Sequence, residues 1–162
     1  MKKKVAIYGG LIALAFLVSF IETFIPLPIA IPGMKLGLTN IIIIYVLYTM
    51  GIKDAYGISI ARVILCGFLF GNMAGILYSL SGAVISLGIM ALLKKRKAFS
   101  IVGVSVCGGV AHNTGQIIVA AFVTSWKTVL FYFPFLLIAG VFTGIVIGIL
   151  GKEMIRRIPR GI

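Results

Sequence analysis

Long apolar runs, broken by short polar or basic clusters, set the pattern of this chain. A bilayer core of ~30 Å takes roughly 20 helical residues at about 1.5 Å each. Backbone groups in lipid must be satisfied within their own segment, so such runs read as helices. The pattern predicts six: Val5–Thr23, Leu36–Met50, Asp54–Phe70, Met73–Leu93, Phe99–Val123 and Thr128–Leu150. The second and third are short for a full crossing, and tilt or shielding by neighbours is expected there. The connections Gly51-Ile52-Lys53, Gly71-Asn72 and Ser125-Trp126-Lys127 leave little beyond a turn. The expected fold is all-α, one integral membrane domain over residues 1–162, with six transmembrane helices in a compact bundle. Lys2, Lys3 and Lys4 ahead of Ala13-Leu14-Ala15 imitate a signal peptide, but the apolar run continues past that point, so an uncleaved first helix is expected.

Composition agrees. Hydrophobic residues are 61% of the chain and charged residues 11%, against about half and about a quarter in soluble domains. A core of this size cannot hide that excess, so the surface must face lipid. The net charge of +12 suggests phosphate backbones, but the basic residues sit in short clusters between apolar runs and form no basic face, so nucleic acid is not an expected partner. The clusters instead orient the bundle by the positive-inside rule. With six spans and the N-terminus inside, Lys2, Lys3, Lys4, Lys53, Lys94, Lys95, Arg96, Lys97, Lys152, Arg156, Arg157 and Arg160 are cytoplasmic. Only Lys35 and Lys127 fall outside, Arg62 stays within the membrane, and both termini are cytoplasmic.

Ionisable and polar groups at membrane depth mark function by default. Arg62 lies about eight residues into the third run, ~12 Å deep by helical rise. With only Glu22, Asp54 and Glu153 as acids, no partner is evident by sequence. It reads either as a ligand for an anion or as a side chain bonded to helix-end carbonyls. His112, Asn113 and Gln116 share one face of the fifth helix by three- and four-residue spacing. They either line a cavity or bond between helices. Glu22, Lys35, Thr39, Asn40 and Asn72 fall at the same outer level or above it, so topology suggests an outward-facing polar pocket with Arg62 in its floor. The apolar stretch from Ile25 to Gly33 carries Pro26, Pro28 and Pro32, which forbid a regular helix; it either folds over the mouth of the bundle or rests on lipid headgroups. Small residues recur at four-residue spacing: Gly140, Gly144 and Gly148; Ser105 and Gly109; Ala111 and Gly115; Ala6 and Gly10; Gly9 and Ala13. These suit close helix contacts, chiefly within the bundle, although the first helix could present its face to a partner. Cys66 and Cys107 lie in apolar runs without metal spacing and read as buried thiols, or else as a ligand pair shared with a second subunit. No phosphate-binding loop is present, and no metal, cofactor or enzymatic activity is expected.

Pro32-Gly33-Met34-Lys35-Leu36-Gly37-Leu38-Thr39-Asn40 resembles the opening motif of the bacterial Gx transporter family, also labelled heptaprenyl diphosphate synthase component I. The resemblance continues through Arg62, Phe68-Leu69-Phe70-Gly71, Gly103-Val104-Ser105 and Ala111-His112-Asn113-Thr114-Gly115-Gln116, in the same order over nearly the whole chain. That family looks like the substrate-binding S components of energy-coupling factor transporters, six-helix proteins without an ATPase of their own. The resemblance implies a small vitamin-like or anionic substrate, and partnership with a coupling (T) subunit and ATPases in the bilayer. It implies that Lys35 and Asn40 cap or line the pocket, that His112, Asn113 and Gln116 line it, and that Ala6, Gly9, Gly10 and Ala13 are docking positions. The synthase label sits poorly with one aspartate, since long-chain prenyl synthases hold magnesium and diphosphate with Asp-rich motifs. A flavin- or quinone-linked electron-transfer subunit is the alternative, although Ser81-Gly82-Ala83-Val84 lacks the Asp and Thr of a flavin attachment motif. A membrane partner of a prenyl diphosphate synthase is a weaker third reading.

Overall fold

A computed structural model of the chain describes residues 2–25, 37–96, 98–124 and 126–158. Among them are six α-helices: α1 (Lys2–Glu22), α2 (Asn40–Thr49), α3 (Ile52–Phe70), α4 (Met73–Lys95), α5 (Ile101–Val123) and α6 (Trp126–Arg157). Four are long and apolar enough to cross a membrane, over Lys4–Glu22, Met73–Lys95, Ile101–Val123 and Val129–Arg157. Large apolar side chains stand exposed on every helix except α2, among them Leu17, Phe68, Leu77, Phe122, Phe131 and Phe142. No water-soluble domain exposes such a continuous apolar surface, and the protein is membrane-embedded.

The second expected helix is shorter than its apolar run. It spans 10 residues, about 15 Å, and starts at Asn40 because the backbone before it is turned elsewhere. Gly37 adopts φ +83°, open to glycine at little cost. The Gly37 and Leu38 N–H groups donate to the Glu22 carboxylate. The first turn then closes through tight three-residue bonds, Asn40 N–H to Gly37 O at 2.9 Å and Ile41 N–H to Leu38 O at 3.1 Å. Beyond that turn, α2 forms the centre of the molecule. Ile42, Ile43, Ile44, Tyr45, Val46 and Leu47 are all buried, packed on Ala15 of α1, Ala55 and Ile58 of α3, Leu87 and Met90 of α4, Val104 of α5 and Ile147 of α6. A helix apolar all round belongs in a core, and shielding is what permits it to be short. Its last carbonyls are capped by Lys94, whose Nζ donates to Leu47 O at 2.6 Å and lies 5.0 Å from the Tyr48 ring centre.

Elsewhere the helices follow the apolar runs, with ends set by local chemistry. Ser100 caps α5, accepting from Gly103 N–H at 3.1 Å, so that helix begins at Ile101 rather than Phe99. α6 runs 32 residues, past the apolar limit at Leu150, because Glu153 pairs with Arg156 at 2.7 Å and with Arg157 at 2.5 Å along one exposed face.

Lipid tails are as apolar as leucine, so close packing holds these helices together rather than transfer from water. The tightest seams are glycine seams. On α6, a Cβ at Gly144 would lie 2.6 Å from Val106 Cα, and one at Gly148 would lie 2.7 Å from Val102 Cα. Between α4 and α5, a Cβ at Gly115 would lie 2.9 Å from Ser81 O. Ser81 Oγ donates to Gly115 O at 2.9 Å and Ser86 Oγ to Gly108 O at 2.8 Å across the same seam. Such bonds contribute only about 0.6 kcal/mol each in membranes, so the backbone approach dominates. The α1 pattern behaves differently. Ala6, Gly9, Gly10 and Ala13 are exposed, and a Cβ at Gly9 or Gly10 would meet nothing within 4 Å. The expectation that most small-residue pairs serve the bundle holds for α5 and α6, and the α1 face is the open one.

Candidate binding site

One buried polar cluster joins the C-terminal end of α1, the N-terminal turn of α2 and the middle of α3. Ser19 and Glu22 are one helical turn apart on α1 and point inward, 0% and 4% exposed. Ser19 Oγ lies 2.7 Å from Thr39 Oγ1. It also accepts a hydrogen bond from Arg62 Nη1 at 3.0 Å. Glu22 fixes the chain entering α2 through the Gly37 and Leu38 N–H groups, a favourable place for a carboxylate because helix N-termini carry partial positive charge. Its charge also acts on Arg62. Sequence alone left Arg62 without a partner. The structure supplies Ser19 as its hydrogen-bond partner and brings Glu22 near enough to act through its charge, while Asp54 instead accepts from Tyr8 Oη at 2.5 Å.

Arg62 is only 3% exposed, and its Nε and Nη2 find no hydrogen-bond partner among the described residues. Buried charge of this kind is costly unless it is paired and fully hydrogen-bonded. Ser59, one turn earlier on α3, is also buried with an unpartnered hydroxyl.

α5 brings the remaining groups. His112, Asn113 and Gln116 are all buried, at 2%, 1% and 1% exposure. The His112 ring is wedged between two glycines. A Cβ at Gly82 would lie 2.9 Å from its Nδ1, and one at Gly37 would lie 3.6 Å from its Nε2. The Arg62 charge reaches His112. The α5 ring, the α3 guanidinium and the α1–α2 junction therefore form one neighbourhood. Asn113 divides its amide: Nδ2 donates to Leu136 O on α6 at 2.6 Å, and Oδ1 has no partner among the described residues. Asn40 lines a narrow cleft of about 10 Å³, room for no more than a water, between α2, α4, α5 and α6, lined also by Ser105, Gly108 and Thr143; the Ser105 hydroxyl has no partner among the described residues.

One of the expected site residues stands apart, and another lies outside the described residues. Asn72 is exposed, and its side chain caps α4 by accepting from Gly75 N–H at 2.7 Å. Lys35 and the proline stretch from Pro26 to Pro32 lie outside the described residues. Cys66 is buried and Cys107 half-buried, both free. Among the described residues no three His, Cys, Asp or Glu side chains converge as metal ligands.

Over residues 11–154 the chain matches the family model described as heptaprenyl diphosphate synthase component I. It belongs to that family. The match spans Ser19, Glu22, Arg62 and the α5 trio, so the heptaprenyl diphosphate synthase component I region contains the whole polar cluster. Ala6, Gly9 and Gly10 precede it, and Ala13 falls inside. Comparison with curated proteins and with solved structures gives no match.

Sequence reasoning missed Ser19, Ser59 and Ser105. Serine is common in transmembrane helices, and only geometry separates one that bonds back to its own helix from one that serves a site. The available signal was spacing, since Ser19 precedes Glu22 by three residues and Ser59 precedes Arg62 by three.

Proposed function

We propose that this protein is the substrate-capturing membrane subunit of an energy-coupling-factor-type uptake transporter, taking a small vitamin-like or anionic molecule and doing no chemistry on it. The observation that carries this reading is Arg62: a guanidinium sealed inside the bundle with two donor nitrogens unpartnered among the described residues, next to Ser19, Glu22 and His112. A purely structural arginine in lipid would have its donors filled by carbonyls or carboxylates.

Six spans fit the charge pattern. α3 has 19 residues, ~28 Å by rise, and presents Ile60, Ile64, Phe68 and Leu69 outward while Arg62 turns inward. α2 crosses only as a shielded helix within the other five. The positive-inside rule puts the lysine-rich end and both termini in the cytoplasm, and so turns the Glu22–Gly37 junction outward. The open Ala6, Gly9, Gly10 and Ala13 face on α1 supports docking to a coupling subunit that works with separate ATPases.

Arg62→Met tests the reading. The variant should accumulate in the membrane and lose whatever small molecule co-purifies with the wild type, read by mass spectrometry of the denatured protein. Failure to accumulate would assign Arg62 to folding instead.

The family description favours one second reading, a membrane partner of a prenyl diphosphate synthase. Asp54, the one aspartate, is held by Tyr8, so such a partner would anchor the enzyme rather than bind magnesium and diphosphate. Co-purification of the synthase, with no ATPase present, would favour it.

A further inference from the structure

The open part of Arg62 is one particular edge of its guanidinium. Nη1 is committed to Ser19, while Nε and Nη2 are the two nitrogens with no partner among the described residues. Those two N–H bonds run parallel along the side-on edge of arginine, the fork that matches two oxygens on one carbon or phosphorus atom. A lone carbonyl or hydroxyl would leave half of it unfilled, and a half-filled buried donor pair is costly.

Charge narrows the choice between oxoanions. Glu22 already has counterparts in the Gly37 and Leu38 N–H groups and the partial positive end of α2. Arg62 is therefore left to balance about one negative charge. A dianion would bring a second, with Glu22 close enough to act on the same guanidinium, and burying an uncompensated charge is strongly unfavourable.

We infer that the site takes its ligand by a monoanionic carboxylate seated on the Nε–Nη2 edge of Arg62, in preference to a phosphate group. This rests on the uptake reading for its physiological meaning, but the chemistry stands on the arginine alone.

The test is thermal unfolding of the full-length protein in nanodiscs at constant ionic strength, titrated with benzoate, inorganic phosphate or chloride. Benzoate should raise the midpoint saturably, with phosphate and chloride far weaker. Arg62→Lys keeps the charge and loses the fork, and should weaken the benzoate response roughly tenfold or more. The wild-type ranking decides even if that variant does not fold. Protection by phosphate equal to or greater than that by benzoate, or no protection by any of the three, overturns the carboxylate assignment. An undiminished benzoate response in Arg62→Lys overturns the fork. Failure of the uptake reading has a different signature: benzoate binds as stated, but no coupling subunit or ATPase co-purifies.

Discussion

At the scale of single residues, two glycines decide where the histidine sits. Gly82 gives His112 its space: a Cβ there would lie 2.8 Å from the His112 carbonyl oxygen and 2.9 Å from Cε1 and Nδ1 of the ring. Backbone cannot yield as a flexible side-chain tip can. Gly82→Ala should therefore push the ring off its position, at about 1–3 kcal/mol of overpacking, and weaken ligand retention together with thermal stability. Gly88→Ala on the same helix is the control, because its Cβ would meet only Tyr56 Oη at an ordinary 3.5 Å; it should leave both unchanged or raise stability slightly through helix propensity. Thermal unfolding and ligand mass spectrometry of the two variants check this. The trio on α5 was legible because helical spacing is rigid and polar residues in an apolar run stand out. Topology put Glu22 and Arg62 in one pocket, but Ser19 as the link between them was not legible: residues 19 and 62 are brought together only by how α1 packs on α3, and no spacing rule spans that gap.

At the scale of helices, apolar runs gave the number of elements and most of their ends. They misjudged α2 for a definable reason. Hydropathy continues from Leu36 through the turn, but Glu22 draws the Gly37 and Leu38 N–H groups away from helix formation, and a contact from 15 residues earlier leaves no local trace. The four-residue glycine spacing was legible as a packing code, but not which seams were internal. Two substitutions separate the kinds. Gly144→Leu would drive a side chain into Val106 Cα from 2.6 Å and should prevent α6 from seating on α5, seen as lost accumulation or a collapsed unfolding midpoint. Gly9→Leu faces open space on α1 and should leave folding and ligand binding intact. If α1 is the docking helix, Gly9→Leu should still strip the coupling subunit from the purified complex. Retention of the complex would remove that role from this face.

At the scale of the whole molecule, the helices alternate in direction, so their ends collect into two groups. Tyr8 bonds Asp54 and Lys94 caps Leu47 at the lysine-rich end; Glu22 holds Gly37 at the other. α1 is the most loosely held of the four long apolar helices, with 17% of its apolar window buried against 50% for α5. It is nonetheless fastened at both ends by polar contacts, and its C-terminal fastening is the candidate binding site itself. A ligand on Arg62 would thus act on the helix that also offers the open small-residue face, which couples occupancy to docking without a separate relay. The scheme requires the site to face outward and α1 to begin inside, and the exposed helix ends make that orientation measurable. In a background lacking the native thiols, Thr124→Cys at the end of α5 should react with a membrane-impermeant maleimide on intact cells. Ser100→Cys at its start should react only after permeabilisation. Both positions are exposed, so access turns on sidedness rather than burial. The reverse pattern would place the site toward the cytoplasm and rule out capture from outside. Labelling of both residues on intact cells would break the antiparallel span of α5 on which the six-helix orientation depends.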